Sequence, residues 1–308
     1  MFELIKPGTN FDFVGYRFYA VSASIVVILL GLVSLWFRGV NYGIDFAGGT
    51  LVHVKFAKPV EINDIRAALD NIAAKDVMVQ DFGGAGKQEF IIRMLESDPE
   101  LKRGLTEQIS RTLTERFQGK SDFEVLRVET VGPRVGKDLR QRAVWAVLAA
   151  TVVMGIYIAI RFEPRFGLGA AVALLHDVMV AVTALSIFGM EFDLTTVAAL
   201  LTIVGYSVND TVIVSDRIRE NMRKNRREPL ASVMNRSINE TLSRTILTGG
   251  TVLLVVVALY FLGGEIIHGF AFTLLVGVIV GTYSSVYIAS PIVLYLDFKP
   301  KARQKKAA

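Results

Sequence analysis

The sequence contains no cysteine and only three histidines, which removes several classes of function at the outset. Without cysteine there is no disulfide framework and no thiolate site for metal or redox chemistry. The histidines, His53, His176 and His268, lie far apart in the sequence. No spacing typical of a metal site, a hydrolase or a catalytic triad is present. The sequence therefore predicts a protein that is not an enzyme and that needs no cofactor.

Charge is scarce as well: charged residues make up 20% of the 308 residues and apolar residues 52%, with a mean hydropathy of +0.45. This composition excludes disorder for most of the chain, because disorder needs low hydrophobicity. It also indicates that much of the surface faces lipid. Six charge-poor windows have the length of about 20 residues that ~30 Å of hydrocarbon requires. The predicted spans are 18–37, 143–160, 166–188, 194–214, 245–262 and 269–296.

Three of these assignments have alternatives. The third and fourth spans contain ionisable residues, so a buried helix of a soluble protein is the other interpretation. The first span resembles a signal peptide in its basic flank. However, its apolar run is long and Trp36-Phe37-Arg38 follows it instead of a small-residue cleavage pattern. We therefore interpret the first span as an uncleaved anchor.

Basic residues alternate from one connection to the next, which predicts the orientation of the spans. The connection 161–165 carries two, the segment 215–244 eight and the tail 297–308 five, whereas 189–193 and 263–268 carry none. We expect the basic parts, including the N-terminal segment 1–17, to be cytoplasmic. The sequence thus predicts a multi-pass protein of the inner (plasma) membrane with both termini in the cytoplasm. The net charge of +5 is then a topology signal with anionic membrane lipids as neighbours, and it predicts no nucleic-acid binding.

The segment 38–142 between the first two spans is a soluble insert, which topology places outside the cytoplasm, in the periplasm. Its pattern is strand 50–56, helix 62–72, strand 77–82, a glycine turn at 83–86, strand 89–95, a helix capped by Asp98-Pro99, and strand 123–131. This order predicts an α+β ferredoxin-like domain with two helices on one face of its sheet. The run ending in Gly86-Lys87 is no phosphate loop, because Asp81 and Gln88 occupy positions that need Gly and Ser or Thr.

Asp210 is the most informative ionisable residue within a span. It follows Asn209, and Thr202, Tyr206 and Asn209 share one face of the predicted helix. We expect this polar stripe to face the interior of the bundle. An ionised side chain in hydrocarbon costs roughly 2.5–3.5 kcal/mol on insertion scales, so its presence needs a partner or a function. Asp210 either takes up and releases a proton, forms a structural hydrogen bond, or lies near the cytoplasmic interface.

Three other features of the spans remain open on the residues alone. Arg244 opens the fifth span, where it either pairs with Asp210 or extends to the interface as a flanking residue. His176 and Asp177, in the middle of the third span, form either a proton relay or a structural bond to the fourth helix. Gly277 and Gly281 in the sixth span predict close packing of helices.

Five segments together resemble the SecD/SecF family. They are GIDFAGGT (43–50), VGPRVG (131–136), LHDV (175–178), GYSVNDT (205–211) and NETLSRT (239–245), in the order and topology of that family. The first two contain the motif residues to which the resemblance assigns a structural or coupling role: Asp45, Gly48, Gly49, Gly132 and Pro133. A single insert of about 100 residues resembles the smaller type of subunit in this family.

The resemblance implies a subunit of a protein translocase accessory complex that is related to resistance–nodulation–division exporters. It implies pairing with SecD, association with the SecYEG translocon and YajC, and contact with a translocating secretory polypeptide. It also implies use of the proton-motive force, with Asp210 and Arg244 in the proton path and Asn209, His176 and Asp177 beside them. Two rival hypotheses are half of a proton-coupled exporter of small molecules, which a larger insert would favour, and a passive scaffold for assembly.

Overall fold

The computed structural model describes residues 9–69, 77–82, 88–94, 102–117, 121–264 and 267–297. Several predicted features lie outside these residues. They are the segment 1–8, the end of the 62–72 helix, the turn at 83–86, the Asp98-Pro99 cap and the tail after residue 297.

The described elements follow one another in the order that the sequence predicts. They are α1 (Arg17–Arg38), α2 (Ile44–Ala47), β1 (Gly49–Phe56), α3 (Ile62–Leu69), β2 (Val77–Asp81), β3 (Glu89–Met94), α4 (Lys102–Phe117), β4 (Phe123–Val131), α5 (Pro133–Arg161), α6 (Pro164–Phe188), α7 (Leu194–Lys224), α8 (Leu230–Leu262), α9 (His268–Ser284), a π-helical segment (Ser285–Ala289) and α10 (Ser290–Asp297). Six of the helical segments are long and apolar enough to cross a membrane, with the sixth formed by His268–Asp297. The predicted fold class, six transmembrane helices with a ferredoxin-like insert, is confirmed.

The described residues of the insert contain a four-stranded antiparallel sheet in the order β2-β3-β1-β4. Alternate residues of the strands pack beneath α3 and α4, where Val54, Ile92, Ile65 and Leu113 are fully buried. The two-residue period of a strand explains why one face of the sheet is apolar and the other carries His53, Arg93 and other polar residues. Both helices cover the same face of the sheet, as expected from the sequence.

The segment 215–244, predicted as a loop, is helical over most of its length. α7 continues to Lys224 and α8 begins at Leu230, so only residues 225–229 separate the two helices. The end of a charge-poor run marks where the hydrocarbon ends. A helix can continue beyond that point when its side chains form hydrogen bonds and ion pairs with other residues. Here Arg217 bonds to Glu240 of α8 at 2.5 Å and to Glu220 at 2.7 Å. We call this end of the bundle the basic side and the end that carries the sheet the insert side.

Within the bundle, α6, α7 and α9 are the most buried helices, and α1, α5 and α8 expose apolar side chains over long stretches. Small residues allow the central helices to approach closely. A Cβ on Gly277 would lie 2.2 Å from the side chain of Ile203, and one on Gly281 would lie 3.1 Å from Cβ of Ser207. The packing role predicted for these two glycines is confirmed, and it brings the polar residues of α7 against α9.

Candidate functional site

Polar side chains from α6, α7 and α9 meet in the middle of the bundle. Asp177 of α6 is fully buried, and its Oδ2 accepts hydrogen bonds from Ser207 of α7 at 2.6 Å and Ser284 of α9 at 2.8 Å. Its Oδ1 lies 3.0 Å from Nδ1 of His176. The carboxyl group thus joins three helices through side chains that are themselves buried.

His176 and Asp177 are therefore close together, and the fourth helix is one of their partners, as the structural interpretation requires. The ring of His176 also stacks on Tyr283, with centroids 6.2 Å apart, while its Nε2 is buried and has no hydrogen-bond partner among the described residues. Tyr283 donates to the carbonyl of Ala20 at 2.6 Å. The network extends in this way from α6 through α9 to α1.

Asp210 lies one turn further along α7 toward the basic side and is fully buried. Its Oδ2 accepts from Thr282 of α9 at 3.3 Å, and its Oδ1 has no partner among the residues that the structure describes. Next to it, the hydroxyls of Thr211 and Ser285 lie 2.8 Å apart. Asp210 thus faces the seam between α7 and α9 instead of the lipid or the interface.

Arg244 is exposed on α8 and attracts Asp210 electrostatically. Within the described part of the chain, no ion pair of 4.0 Å or less joins the two residues. Thr245, the next residue, is buried, and its hydroxyl has no hydrogen-bond partner in that part of the chain. The guanidinium therefore acts on the carboxyl group at longer range than a contact.

The expectation that the polar stripe of α7 faces the interior is wrong for two of its members. Thr202 and Asn209 are exposed, Tyr206 is half-buried, and only Ser207 and Asp210 are buried. Each residue advances about 100° around a helix, so Asn209 points well away from its neighbour Asp210. The stripe thus lies mostly on the outside of this chain, with Tyr206 half-buried, and Ser207 and Asp210 beside it face the interior. Because polar side chains are disfavoured against lipid, this outer part is a surface that suits another protein.

The sequence reasoning missed three groups beside Asp210. They are Thr282, which donates to Asp210, Gly249 of α8, where a Cβ would lie 3.2 Å from Oγ1 of Thr282, and Thr245, one turn from Gly249 on the same helix. A signal for the first was present in the run Thr282-Tyr283-Ser284-Ser285, which is unusually polar for the middle of a span. No pattern in the sequence singles out Gly249, because glycine is common in membrane helices.

The motif residues at the root of the insert interlock. Gly48 has φ +78°, a conformation that favours glycine, and a Cβ there would lie 2.7 Å from Cα of Pro133. Pro133 begins α5 directly after Gly132, and Gly49 begins β1. Oδ2 of Asp45, in α2, accepts from the backbone N–H of Leu194 at the start of α7, at 3.1 Å. The insert is therefore joined to both α5 and α7.

The open face of the sheet lies over the connection between α6 and α7. A cleft of about 550 Å³ separates them, lined on the sheet by His53, Arg93 and Arg127 and on the connection by Glu191 and Asp193. Arg93 and Glu191 form an ion pair across it. Burial lowers the pKa of Arg93 from its ordinary value and the charge of Asp193 opposes this, but a guanidinium stays charged at physiological pH.

Comparison with known proteins gives one consistent result. Residues 110–299 match the family described as protein export membrane protein SecD/SecF, C-terminal, and residues 33–60 match the SecD/SecF GG motif. The protein translocase subunit SecF of Magnetococcus marinus is 47% identical over 308 residues, which cover 99% of this chain and 97% of that protein. The SecF of Escherichia coli O157:H7 is 39% identical, over 94% of this chain and 88% of that protein.

Solved structures agree with the sequence comparison. The crystal structure of the translocon-associated membrane protein SecDF from a Thermus species superposes with a TM-score of 0.81 at 38% identity, covering 95% of this chain and 39% of that one. SecDF in its super-membrane-facing form gives a TM-score of 0.71 at 38% identity, covering 100% of this chain and 41% of that one. This chain thus spans about two fifths of the SecDF polypeptides. On these grounds the chain belongs to the SecD/SecF family of protein export membrane proteins, as one of its SecF-type subunits.

Proposed function

We propose that this multi-pass membrane protein works with a SecD partner to drive the export of secretory proteins through SecYEG, with the proton-motive force as the energy source. It lies in the inner membrane with both termini and the basic side in the cytoplasm and the insert outside. YajC is a further partner of the complex. The translocating polypeptide is bound on the insert side, where the ferredoxin-like domain is located.

One observation carries the proposal: Asp210 is fully buried between membrane helices, while one of its carboxylate oxygens has no hydrogen-bond partner among the residues that the structure describes. A carboxyl group that had only a structural role would be expected to use both oxygens, as Asp177 does with Ser207, Ser284 and His176. The single hydrogen bond from Thr282 leaves the charge of an ionised Asp210 poorly compensated. Proton uptake relieves this cost, so the packing around Asp210 depends on its protonation state.

The partially exposed stripe on α7 supports the proposed pairing with SecD. Thr202 and Asn209 lie on the outside of the chain at membrane depth, and Gly205 between them has no side chain. A SecD helix against this surface would bury these groups and place the shared interface next to Asp210. The SecDF structures contain a longer polypeptide in which this chain matches only part. A proton from outside therefore reaches Asp210 along the interface of the two subunits.

Arg244 completes the switch. Its charge attracts an ionised Asp210 from the next helix and has no such effect on the neutral form. Protonation therefore weakens one of the forces that hold α7 and α8 together. The change in packing reaches the insert through α5 and α7, since Pro133 and Leu194 at the ends of these helices contact the motif residues Gly48 and Asp45. The insert then moves relative to the membrane and pulls or releases the emerging polypeptide.

The available energy is sufficient for such a switch. One elementary charge crossing about 150 mV releases roughly 3.5 kcal/mol, scaled from about 2.3 kcal/mol per 100 mV. An energy of this size shifts an equilibrium between two conformations more than a hundredfold. A single proton per step would therefore be enough to bias the position of the insert.

The experiment replaces Asp210 by Asn, which keeps the size of the side chain and removes the titratable proton. Asp216→Asn is the matched control, because it is the same change at an exposed position of α7 on the basic side. Export of a secretory precursor is followed in vesicles that contain the complete translocon and an imposed proton gradient. We expect Asp210→Asn to lose the gradient-dependent part of export while co-purification with SecD persists.

Two outcomes would contradict the proposal. If Asp210→Asn exports like the parent, Asp210 does not couple the gradient to export. If the variant no longer assembles with SecD, and export falls only in proportion to the complex that remains, then Asp210 serves assembly and the chain acts as a scaffold.

A further inference from the structure

Three buried polar atoms near the proposed proton site have no hydrogen-bond partner among the described residues. They are Oη of Tyr206, Oδ1 of Asp210 and Oγ1 of Thr245. Asp210 is fully buried and Thr245 is 3% exposed. Buried hydroxyl and carboxyl oxygens nearly always have a partner, from the protein or from an ordered water molecule. Three exceptions within one region indicate that water supplies the missing partners.

The three atoms lie on facing helices at matching levels. Tyr206 and Asp210 are one turn apart on α7, and Thr245 and Gly249 are one turn apart on α8, which runs in the opposite direction. Tyr206 and Gly249 form the level nearer the insert side, and Asp210 and Thr245 the level nearer the basic side. The hydroxyl of Thr282 on α9 closes the third side, where it donates to Asp210.

Gly249 determines how much room this arrangement leaves. A Cβ at Gly249 would lie 3.2 Å from Oη of Tyr206 and 3.2 Å from Oγ1 of Thr282, closer than methyl groups normally approach oxygen. The bare face of the glycine is thus turned toward two polar oxygens in an otherwise apolar helix. Gly250, its neighbour, has no atom within 4 Å of the corresponding position. Packing of helix against helix would not by itself require a glycine that faces hydroxyl groups.

We propose that Tyr206, Asp210 and Thr245 bind water between α7 and α8, and that Gly249 keeps the approach to this water open from the level of Tyr206. The inference rests on the proposed function and deepens it, because it names the last step of the proton path. A proton that arrives on the bound water as hydronium passes to Oδ1 of the Asp210 carboxylate. The products are a neutral carboxyl group and a water molecule, and release to the other side reverses the step.

Tyr206 and Gly249 are positioning residues in this account. The hydroxyl of Tyr206 sits where α7 turns from its exposed stripe to its buried face, since Thr202 and Asn209 are exposed and Asp210 is not. Its buried hydroxyl therefore lies between the exposed face of α7 and Asp210. Thr245 follows Arg244 in α8, and the charge of Arg244 attracts the carboxylate of Asp210. Water at this level would also transmit the attraction between Arg244 and Asp210.

The test compares Gly249→Ala with Gly250→Ala, because both changes alter the intrinsic helix preference of α8 to the same extent. Proton uptake driven by an imposed gradient is measured in vesicles that contain the full chain with its SecD partner. We expect Gly249→Ala to lower uptake by about a hundredfold, the lower end of the loss found when a positioned proton-transfer group is removed, and Gly250→Ala to retain it. Tyr206→Phe removes only the hydroxyl and is expected to follow Gly249→Ala.

A second readout separates water binding from helix packing. Infrared difference spectra of the complex after a pH jump are recorded in H₂¹⁶O and H₂¹⁸O. The parent and Gly250→Ala should show an isotope-sensitive O–H band of bound water, and Gly249→Ala, Tyr206→Phe and Asp210→Asn should lack it. If Asp210→Asn takes up protons like the parent, the proposed function itself fails. If Asp210→Asn stops uptake but Gly249→Ala and Tyr206→Phe keep both uptake and the band, the inference about water is overturned. If Gly249→Ala does not assemble, Tyr206→Phe decides by the same two measurements.

Discussion

Arg93, on β3 of the insert, forms an ion pair with Glu191 in the connection between α6 and α7. The pair joins the open face of the sheet to the membrane helices at a point far in sequence from the peptide links at the root of the insert. Both side chains are largely buried, 17% and 24% exposed, so solvent screens the pair only partly. The insert is therefore held in the described position by a contact that can break without unfolding either part.

The first prediction concerns this contact. Arg93→Ala and Glu191→Ala should each loosen the contact between the insert and the α6–α7 connection, and the double variant should cost less than the sum of the single variants. We expect a coupling energy of about 2 kcal/mol, as for a partly buried pair of charged groups. Thermal unfolding of the parent, the two single variants and the double variant in detergent gives this coupling energy as a double-mutant cycle.

Because the sequence contains no cysteine, the same positions also allow a direct test. Cysteines introduced together at 93 and 191 and bridged by a bis-methanethiosulfonate reagent, which spans more than a direct disulfide can, should fix the insert, and export should recover on reduction. Export that proceeds unchanged in the cross-linked form would contradict a moving insert.

The second prediction concerns the glycine at the root of the insert. Gly48→Ala places a methyl group 2.7 Å from Cα of Pro133 in addition to straining a φ of +78°. Gly39→Ala is the matched control, because its φ is +71° and no atom lies within 4 Å. Both glycines also have ψ close to 180°, so both changes carry a backbone cost of about 1–3 kcal/mol, and the difference between them reports the contact with Pro133. We expect gradient-dependent export to fall for Gly48→Ala and to survive for Gly39→Ala; equal export in the two variants would show that the interlock has no coupling role.

The third prediction concerns the Asp177 network. Ser207→Ala and Ser284→Ala each remove one of the two donors to Oδ2, at 2.6 and 2.8 Å. Each change should lower the free energy of unfolding by about 1–2 kcal/mol, because a buried acceptor loses a partner. Ser243→Ala, outside this network on α8, serves as the control. If the serine variants unfold like the parent but lose proton uptake, the network is a relay and its structural role is minor.

The fourth prediction concerns acid stability of the insert. Burial raises the pKa of Glu89, but bonding to Lys55 at 3.1 Å and the charges of Lys55 and His53 outweigh this, so the pKa lies below its ordinary value of 4.5. A carboxyl group with a lowered pKa in the folded state stabilises the fold above its unfolded pKa, and this contribution is lost as the pH falls through the folded value. We expect protection of the amides of β1 and β3 from hydrogen exchange to fall below about pH 4.5 in the parent.

Glu89→Gln removes the titrating group while keeping the shape of the side chain. Comparing it with the parent at each pH cancels the intrinsic pH dependence of exchange. The gap between the two should close as the pH falls; a gap that stays constant from pH 7 to about pH 3 would refute the assignment.

The spans and the sheet were predictable because hydropathy and the alternation of strand residues depend only on residues that are close together in the sequence. The end of α7 and the start of α8 were not predictable. A hydrogen bond from Arg217 to Glu240 of α8 stabilises the extension of α7, and the sequence does not show that these two residues pair. The same limit explains the error about the polar stripe. Residues such as Asn209 and Asp210 are adjacent in sequence, but which of them faces the bundle is decided by the helices that pack around α7.

The sites that depend on distant contacts were also beyond prediction. Asp210 and Asp177 stood out as ionisable residues in hydrocarbon, but their partners on α9 did not, since serine and threonine are common in membrane helices. Arg93 lies in a predicted strand and Glu191 in a short connection, and no pattern in the sequence links the two positions. Only the folded arrangement brings them into contact.

The most direct measurement of the central claim is gradient-driven proton uptake by sealed vesicles that contain the complete complex. The parent, Asp210→Asn and Asp216→Asn are compared at equal amounts of assembled complex. The account predicts that Asp210→Asn loses uptake by about a hundredfold or more, because its buried carboxyl group is the proton acceptor, and that Asp216→Asn takes up protons like the parent. Uptake by Asp210→Asn at the parent rate would contradict the account.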